Sequence, residues 1–209
     1  MAANYQNVAA LREIEIGDVS LAAQHVRAAL SLAPTRDVKV QAALAWARSG
    51  YANRARQLLD EVESQNPANT LVNSYWAPAI EASLEIQAGN PQAAVSKMQI
   101  VTPYELSVAP PLGDDVFMYP TYIRGQAYLA EHNGTAAAAE FEKILAHPGV
   151  VLECIVGALA RLQLARAEVV AGDSTSARRD YEGFLTLWKN ADPDVPILKQ
   201  AQREYAKLN

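Results

Sequence analysis

The sequence predicts an all-α fold, an α-solenoid of about five helix–turn–helix units followed by a C-terminal capping helix. Three observations predict it. A glycine-centred turn signal recurs along the chain, apolar residues fall at spacings of three and four on both sides of it, and prolines close several of the segments.

The recurrent signal is a Gly, a small residue five positions later and an apolar residue about four further on. Gly17 is followed by Ala22, Val26 and Ala29, with closure at Pro34. Gly50 is followed by Ala55, Leu59 and Val62, with closure at Pro67. These two glycines stand 33 residues apart, as do these two prolines. Gly89 is followed by Ala94 and Met98, with Pro103 near the close, and Gly172 by Ala177, Tyr181 and Phe184. The fourth unit is out of step: His132-Asn133-Gly134 makes its turn, and Ala137, Phe141 and Ile144 carry its pattern. Gly tolerates the left-handed conformation that ends a helix, a small Ala lets two helices approach, and Pro interrupts the hydrogen-bond ladder.

Ahead of each turn lies a first helix, over 7–16, 38–49, 71–88, 119–132 and 156–171, with the period of a half-buried helix. The units span about 4–34, 36–67, 70–101, 117–147 and 155–189, forming one domain over 1–209. The segment 102–116 interrupts the array with Pro103, Pro110, Pro111 and Gly113, and reads as a loop. A last helix over 195–208 carries Ile197, Leu198, Ala201, Tyr205 and Leu208 on one stripe, the pattern of a cap with one wetted face.

Composition excludes several classes. The 209 residues are 50% hydrophobic with a formal net charge of −5, which argues against a nucleic-acid partner. No apolar run approaches the ~18 residues that span a bilayer, so no direct membrane insertion is expected. The first six residues lack the charged-then-apolar order of a signal peptide. The chain opens almost directly in helical pattern, which reads as a segment of a longer protein.

Catalytic and metal chemistry finds little support. His25, His132 and His147 have no partner at a ligand spacing, and a lone Cys154 in an apolar setting reads as a small buried hydrophobe. Glu13/Glu15 and Asp60/Glu61/Glu63 read as solvated faces, and Asp114-Asp115 offers too few carboxylates for a calcium site. Arg54/Arg56 and Arg178/Arg179 read as outward, solubilising pairs on second helices. The expectation is no enzyme, no cofactor and no metal.

The period, the Gly–small–apolar pattern and the closing Pro resemble the tetratricopeptide repeat. The fourth unit resembles it most, with Gly125 and Tyr128 in its first helix. Ala10, Ala43, Ala82 and Ala165 stand where Gly125 stands. The resemblance implies a right-handed superhelix. Two stretches, 117–129 from Phe117-Met118-Tyr119-Pro120 through Tyr128-Leu129, and 181–194 from Tyr181-Glu182-Gly183-Phe184 through Asp192-Pro193-Asp194, resemble the C-terminal repeat region of bacterial eukaryote-like Ser/Thr protein kinases. That resemblance implies a sensor or scaffold segment of a signalling protein. It does not imply kinase activity, because the chain has no Gly-rich nucleotide loop, His-Arg-Asp loop or Asp-Phe-Gly motif. It is compatible with a cytoplasmic chain or, as part of a membrane-anchored kinase, an extracytoplasmic one.

In such a superhelix the first helices line a concave face. The expected protein-binding groove holds Val40, Leu44, Trp76, Ile80, Ser83, Tyr119, Tyr122, Gln126, Leu162 and Arg166. Its guest would be a protein or peptide segment, including another part of the same protein. With Val40, Leu44 and Ile80 at the inner positions, a free C-terminal carboxylate is not the expected guest. Trp76 and Tyr122 are equally readable as core fillers between helices. The rival to a binding module is a spacer or self-association module that forms a homodimer.

Overall fold

Turn chemistry written into the sequence sets the helix boundaries. Asp18, Thr35, Asn133 and Asp173 each accept a hydrogen bond from the backbone N–H three residues on, and so cap α2 (Val19–Leu32), α3 (Arg36–Arg48), α8 (Gly134–Ala146) and α11 (Ser174–Leu187). Gly17 ends α1 (Ala2–Ile16) and Gly172 ends α10 (Ile155–Ala171), both left-handed, at φ 101° and 85°. In this computed structural model, which describes residues 1–107 and 116–208, the regular structure is entirely helical and contains no strand among the described residues.

The remaining helices are α4 (Ala52–Gln65), α5 (Ala77–Gln87), α6 (Pro91–Lys97), α7 (Tyr119–Ala130), the short α9 (Pro148–Val151) and α12 (Pro196–Ala206). Sequential neighbours pack in pairs: α1 with α2, α3 with α4, α5 with α6, α7 with α8, and α10 with α11. The first helices also form a row, α1 against α3, α3 against α5, α5 against α7 and α7 against α10. That row returns on itself, because α1 also touches α10 and α12. A Cβ on Gly17 would lie 3.0 Å from Cβ of Pro196, so the end of α1 abuts the start of α12.

Small residues permit this packing. Ala22, Ala55, Ala94, Ala137 and Ala177 are fully buried. Gly125 faces Phe141, and a Cβ there would stand 2.6 Å from that ring. At the fourth turn it is His132, at φ 58°, that adopts the left-handed conformation. Gly134 instead begins α8 and lets α10 approach: a Cβ there would lie 2.4 Å from the Ala167 carbonyl oxygen and the Ala171 nitrogen.

Two elements differ from the expectation. The helix expected over 71–88 begins with a π-helical turn, Val72–Trp76, before α5. Pro78 has no N–H to donate, which interrupts the regular ladder at that point. The second helix of the third unit stops at Lys97 and continues as a 3₁₀ helix, Met98–Tyr104, so 102–104 are helical rather than loop. Residues 108–115 of the expected loop, with Pro110, Pro111, Gly113, Asp114 and Asp115, lie outside the described residues. The 3₁₀ segment is fastened by ions: Arg124 bonds Glu105 and Glu140, each at 2.6 Å, and Lys143 bonds Glu105 at 2.7 Å.

Candidate interaction site

The inner side of the helix row is polar at its centre. Glu15 near the end of α1 and Arg48 at the end of α3 approach to 2.5 Å with side chains 4% and 8% exposed. Arg48 also donates to Gln126 Oε1 at 3.0 Å, and its guanidinium carbon lies 5.8 and 5.7 Å from the ring centroids of Tyr119 and Tyr122. Burial by itself would lower the Arg48 pKa, but the charge and hydrogen bond of Glu15 outweigh it, and the net shift is upward. Gln163 on α10 donates to the Tyr122 hydroxyl at 3.0 Å. Burial first, then the Glu15 charge, raises both tyrosine pKa values, so both phenols stay protonated. Farther along, Arg166 on α10 grips Glu204 on α12 through two bonds of 2.8 and 3.1 Å, and the Tyr181 hydroxyl donates to Glu204 at 3.0 Å.

This closure corrects the expected groove. Val40, Leu44, Trp76, Ile80, Ser83, Tyr119, Tyr122 and Leu162 are all buried. They are core, and a partner could reach the seven outside the cleft only by displacing helices. The physical reason is that each first helix packs on several neighbours at once, α3 on α1, α4 and α5, α5 on α3, α6 and α7, and α10 on α7, α8 and α11, so these side chains fill helix interfaces. Gln126 and Arg166 remain half-buried, each engaged as described.

A cleft lies between three successive first helices. Arg48 of α3, Ser83, Ile86 and Gln87 of α5, and Gln126 of α7 line a cleft of about 180 Å³. Ser83 and Gln126 belong to the expected set; Arg48, Ile86 and Gln87 were not anticipated. Arg48 reads in the sequence as an ordinary last-turn cation on an alanine-rich helix, and no local pattern distinguishes Gln87. Gln87 Nε2 donates to the Arg48 carbonyl at 3.3 Å, which leaves its Oε1 available. Gln126 accepts through Oε1, which leaves its Nε2 available. The cleft therefore presents one amide acceptor and one amide donor, the complement of a peptide group.

A second titratable cluster lies between α10 and α11. Asp180 bonds Arg161 at 2.7 Å and Arg179 at 2.8 Å, and Glu168 stands 3.5 Å from Arg179. Burial first, then the Asp180 charge, pushes the Glu168 carboxyl up to about 7. The histidines are dispersed: His25 pairs with Gln6 at 2.6 Å, and His147 Nδ1 with the Lys143 carbonyl at 2.7 Å. Among the described residues no three His, Cys, Asp or Glu side chains gather to hold a metal ion, and no helix is long and apolar enough to cross a membrane. No protein-family model, curated protein or solved structure matches the chain.

Proposed function

We propose that the chain is a non-catalytic protein-interaction module, a right-handed α-solenoid of about five tetratricopeptide-like units plus a capping helix, acting as the sensor or scaffold region of a signalling protein. The cleft at Arg48, Ser83, Ile86, Gln87 and Gln126 carries this reading. Three consecutive first helices contribute to it, and its two spare amide groups match the donor and acceptor of an extended peptide. The setting in a protein related to bacterial Ser/Thr kinases rests on the likeness of 117–129 and 181–194 alone. The sequence supplies no nucleophile–base pair or metal-ligand set to support a reaction.

The test is panning of a random peptide library on the immobilised chain. Selected peptides are expected to bind the parent and to lose affinity for Gln87→Ala/Gln126→Ala. A library that yields no peptide discriminating the two would overturn the assignment.

A second reading, a spacer or self-associating module, is favoured by one observation: the first helices bury their inner side chains against each other rather than against solvent. Light scattering across a concentration range separates the two. A persistent dimer supports self-association; a monomer throughout supports peptide binding.

A further inference from the structure

Between α10 and α11 the charges do not balance. Three carboxylates, Glu168, Asp173 and Asp180, stand with two guanidiniums, Arg161 and Arg179. Asp180, 2% exposed, takes both cations, Arg161 on Oδ1 at 2.7 Å and Arg179 on Oδ2 at 2.8 Å. Asp173 is engaged as the cap of α11, accepting the Ser176 N–H at 3.0 Å. Glu168 is the surplus acid. It is 8% exposed, its Oε1 stands 3.5 Å from Arg179, and its Oε2 is buried with no hydrogen-bond partner among the described residues. A buried polar oxygen without a partner calls for an explanation. Glu168 also lies in the last turn of α10, where the helix dipole disfavours a negative charge.

A proton supplies what the site lacks. Two ionised carboxylates repel at this distance, whereas a protonated Glu168 donates to Asp180, which is within hydrogen-bonding reach. The charges set against Glu168 come from α11 and its cap: Asp180, Arg179 and Asp173. α1, α7 and α8 also pack on α10, and their buried charges are engaged elsewhere, Glu15 with Arg48, and Arg124 with Glu105 and Glu140. Glu204 of α12 is held by Arg166 and Tyr181.

We propose that the Glu168–Asp180 contact is a proton switch that seats α11 on α10, holding α11 while Glu168 is protonated and loosening it when that proton leaves to solvent. Burial first, then the Asp180 charge, pushes the Glu168 carboxyl up to about 7, so the change falls near neutral pH. The sign follows from linkage: seating is favoured by the bound proton and weakens as pH rises. Neither residue lines the inner cleft, so the switch stands or falls independently of peptide binding.

The experiment is hydrogen–deuterium exchange of the intact chain at pH 6 and pH 8, with rates corrected for the intrinsic pH dependence of amide exchange. The α11 amides are expected to exchange faster than those of α3 at both pH values. Their protection is expected to fall ~10-fold from pH 6 to 8, because Glu168 ionises as an ordinary carboxylate once α11 opens and near 7 while it is seated. Glu168→Gln keeps a donor for Asp180 without the titration, and is expected to hold the α11 protection level across the two pH values. The pH profile of the parent tests the proposal without any substitution. Level α11 protection in the parent would overturn the proposal. So would α11 exchange no faster than that of α3, since opening would then be global unfolding. A fall that persists in Glu168→Gln would assign the titration to another group and overturn it as well.

Discussion

Arg48 and Glu15 form a nearly solvent-free ion pair at 2.5 Å between the ends of α3 and α1. The pair lies beside Tyr119, Tyr122 and Gln126, so it ties the first two helix pairs to the fourth.

Removing one partner of such a pair leaves a buried charge uncompensated. Arg48→Met is expected to destabilise the chain by about 3–5 kcal/mol in urea unfolding. Glu15→Leu/Arg48→Met removes both charges and is expected to recover a large part of that loss. Equal midpoints for the single and double variants would show that the two charges do not depend on each other.

Gly134 and Gly149 make a matched comparison. A Cβ at Gly134 meets backbone atoms of α10 at 2.4 Å, while one at Gly149 meets nothing within 4 Å. Backbone cannot step aside as a side-chain tip can. Gly134→Ala is therefore expected to cost ~1–3 kcal/mol or more by overpacking, and Gly149→Ala to leave the thermal midpoint nearly unchanged. Similar midpoints for the two variants would contradict the close approach of α8 and α10.

The Glu168 carboxyl gives the stability a pH dependence. Its pKa rises on folding from an ordinary carboxylate value to about 7, so the folded state holds the proton more tightly than the unfolded one. The contribution is fully present below the unfolded pKa and is lost as pH rises to about 7. Glu168→Gln is expected to flatten this window and to stabilise the chain at mildly alkaline pH, by on the order of 1–3 kcal/mol. Parallel stability curves for parent and variant from pH 5 to 8 would show that Glu168 does not titrate as described.

Trp76 separates core from groove. It is 3% exposed and meets Tyr75 edge to face at 4.9 Å. Trp76→Ala is expected to cost about 3–5 kcal/mol in folding, as for a large core aromatic. A variant that folds like the parent but loses a bound peptide would return Trp76 to the groove.

Local features were legible in the sequence because they depend on neighbouring residues alone. Gly17, Gly50, Gly89 and Gly172 occupy the left-handed conformation that their spacing implied. The alanines five residues after those glycines, and Ala137 in the fourth unit, are all fully buried. A helix expected over 195–208 is observed as Pro196–Ala206. The π-helical turn at Val72–Trp76 leaves no mark in the sequence, because a three-and-four apolar spacing does not register one extra residue in a turn.

The sequence by itself determined the helical class, the turns and the small residues at helix contacts, because these follow from backbone conformation and side-chain volume within a few residues. Only the tertiary structure decided which side chains the inner face buries. Whether the packed helix pairs leave a groove or bring α1 onto α10 and α12 depends on every interface together. Those interfaces buried Tyr119 and Tyr122, paired Arg48 with a glutamate 33 residues earlier, and left a polar cleft between α3, α5 and α7.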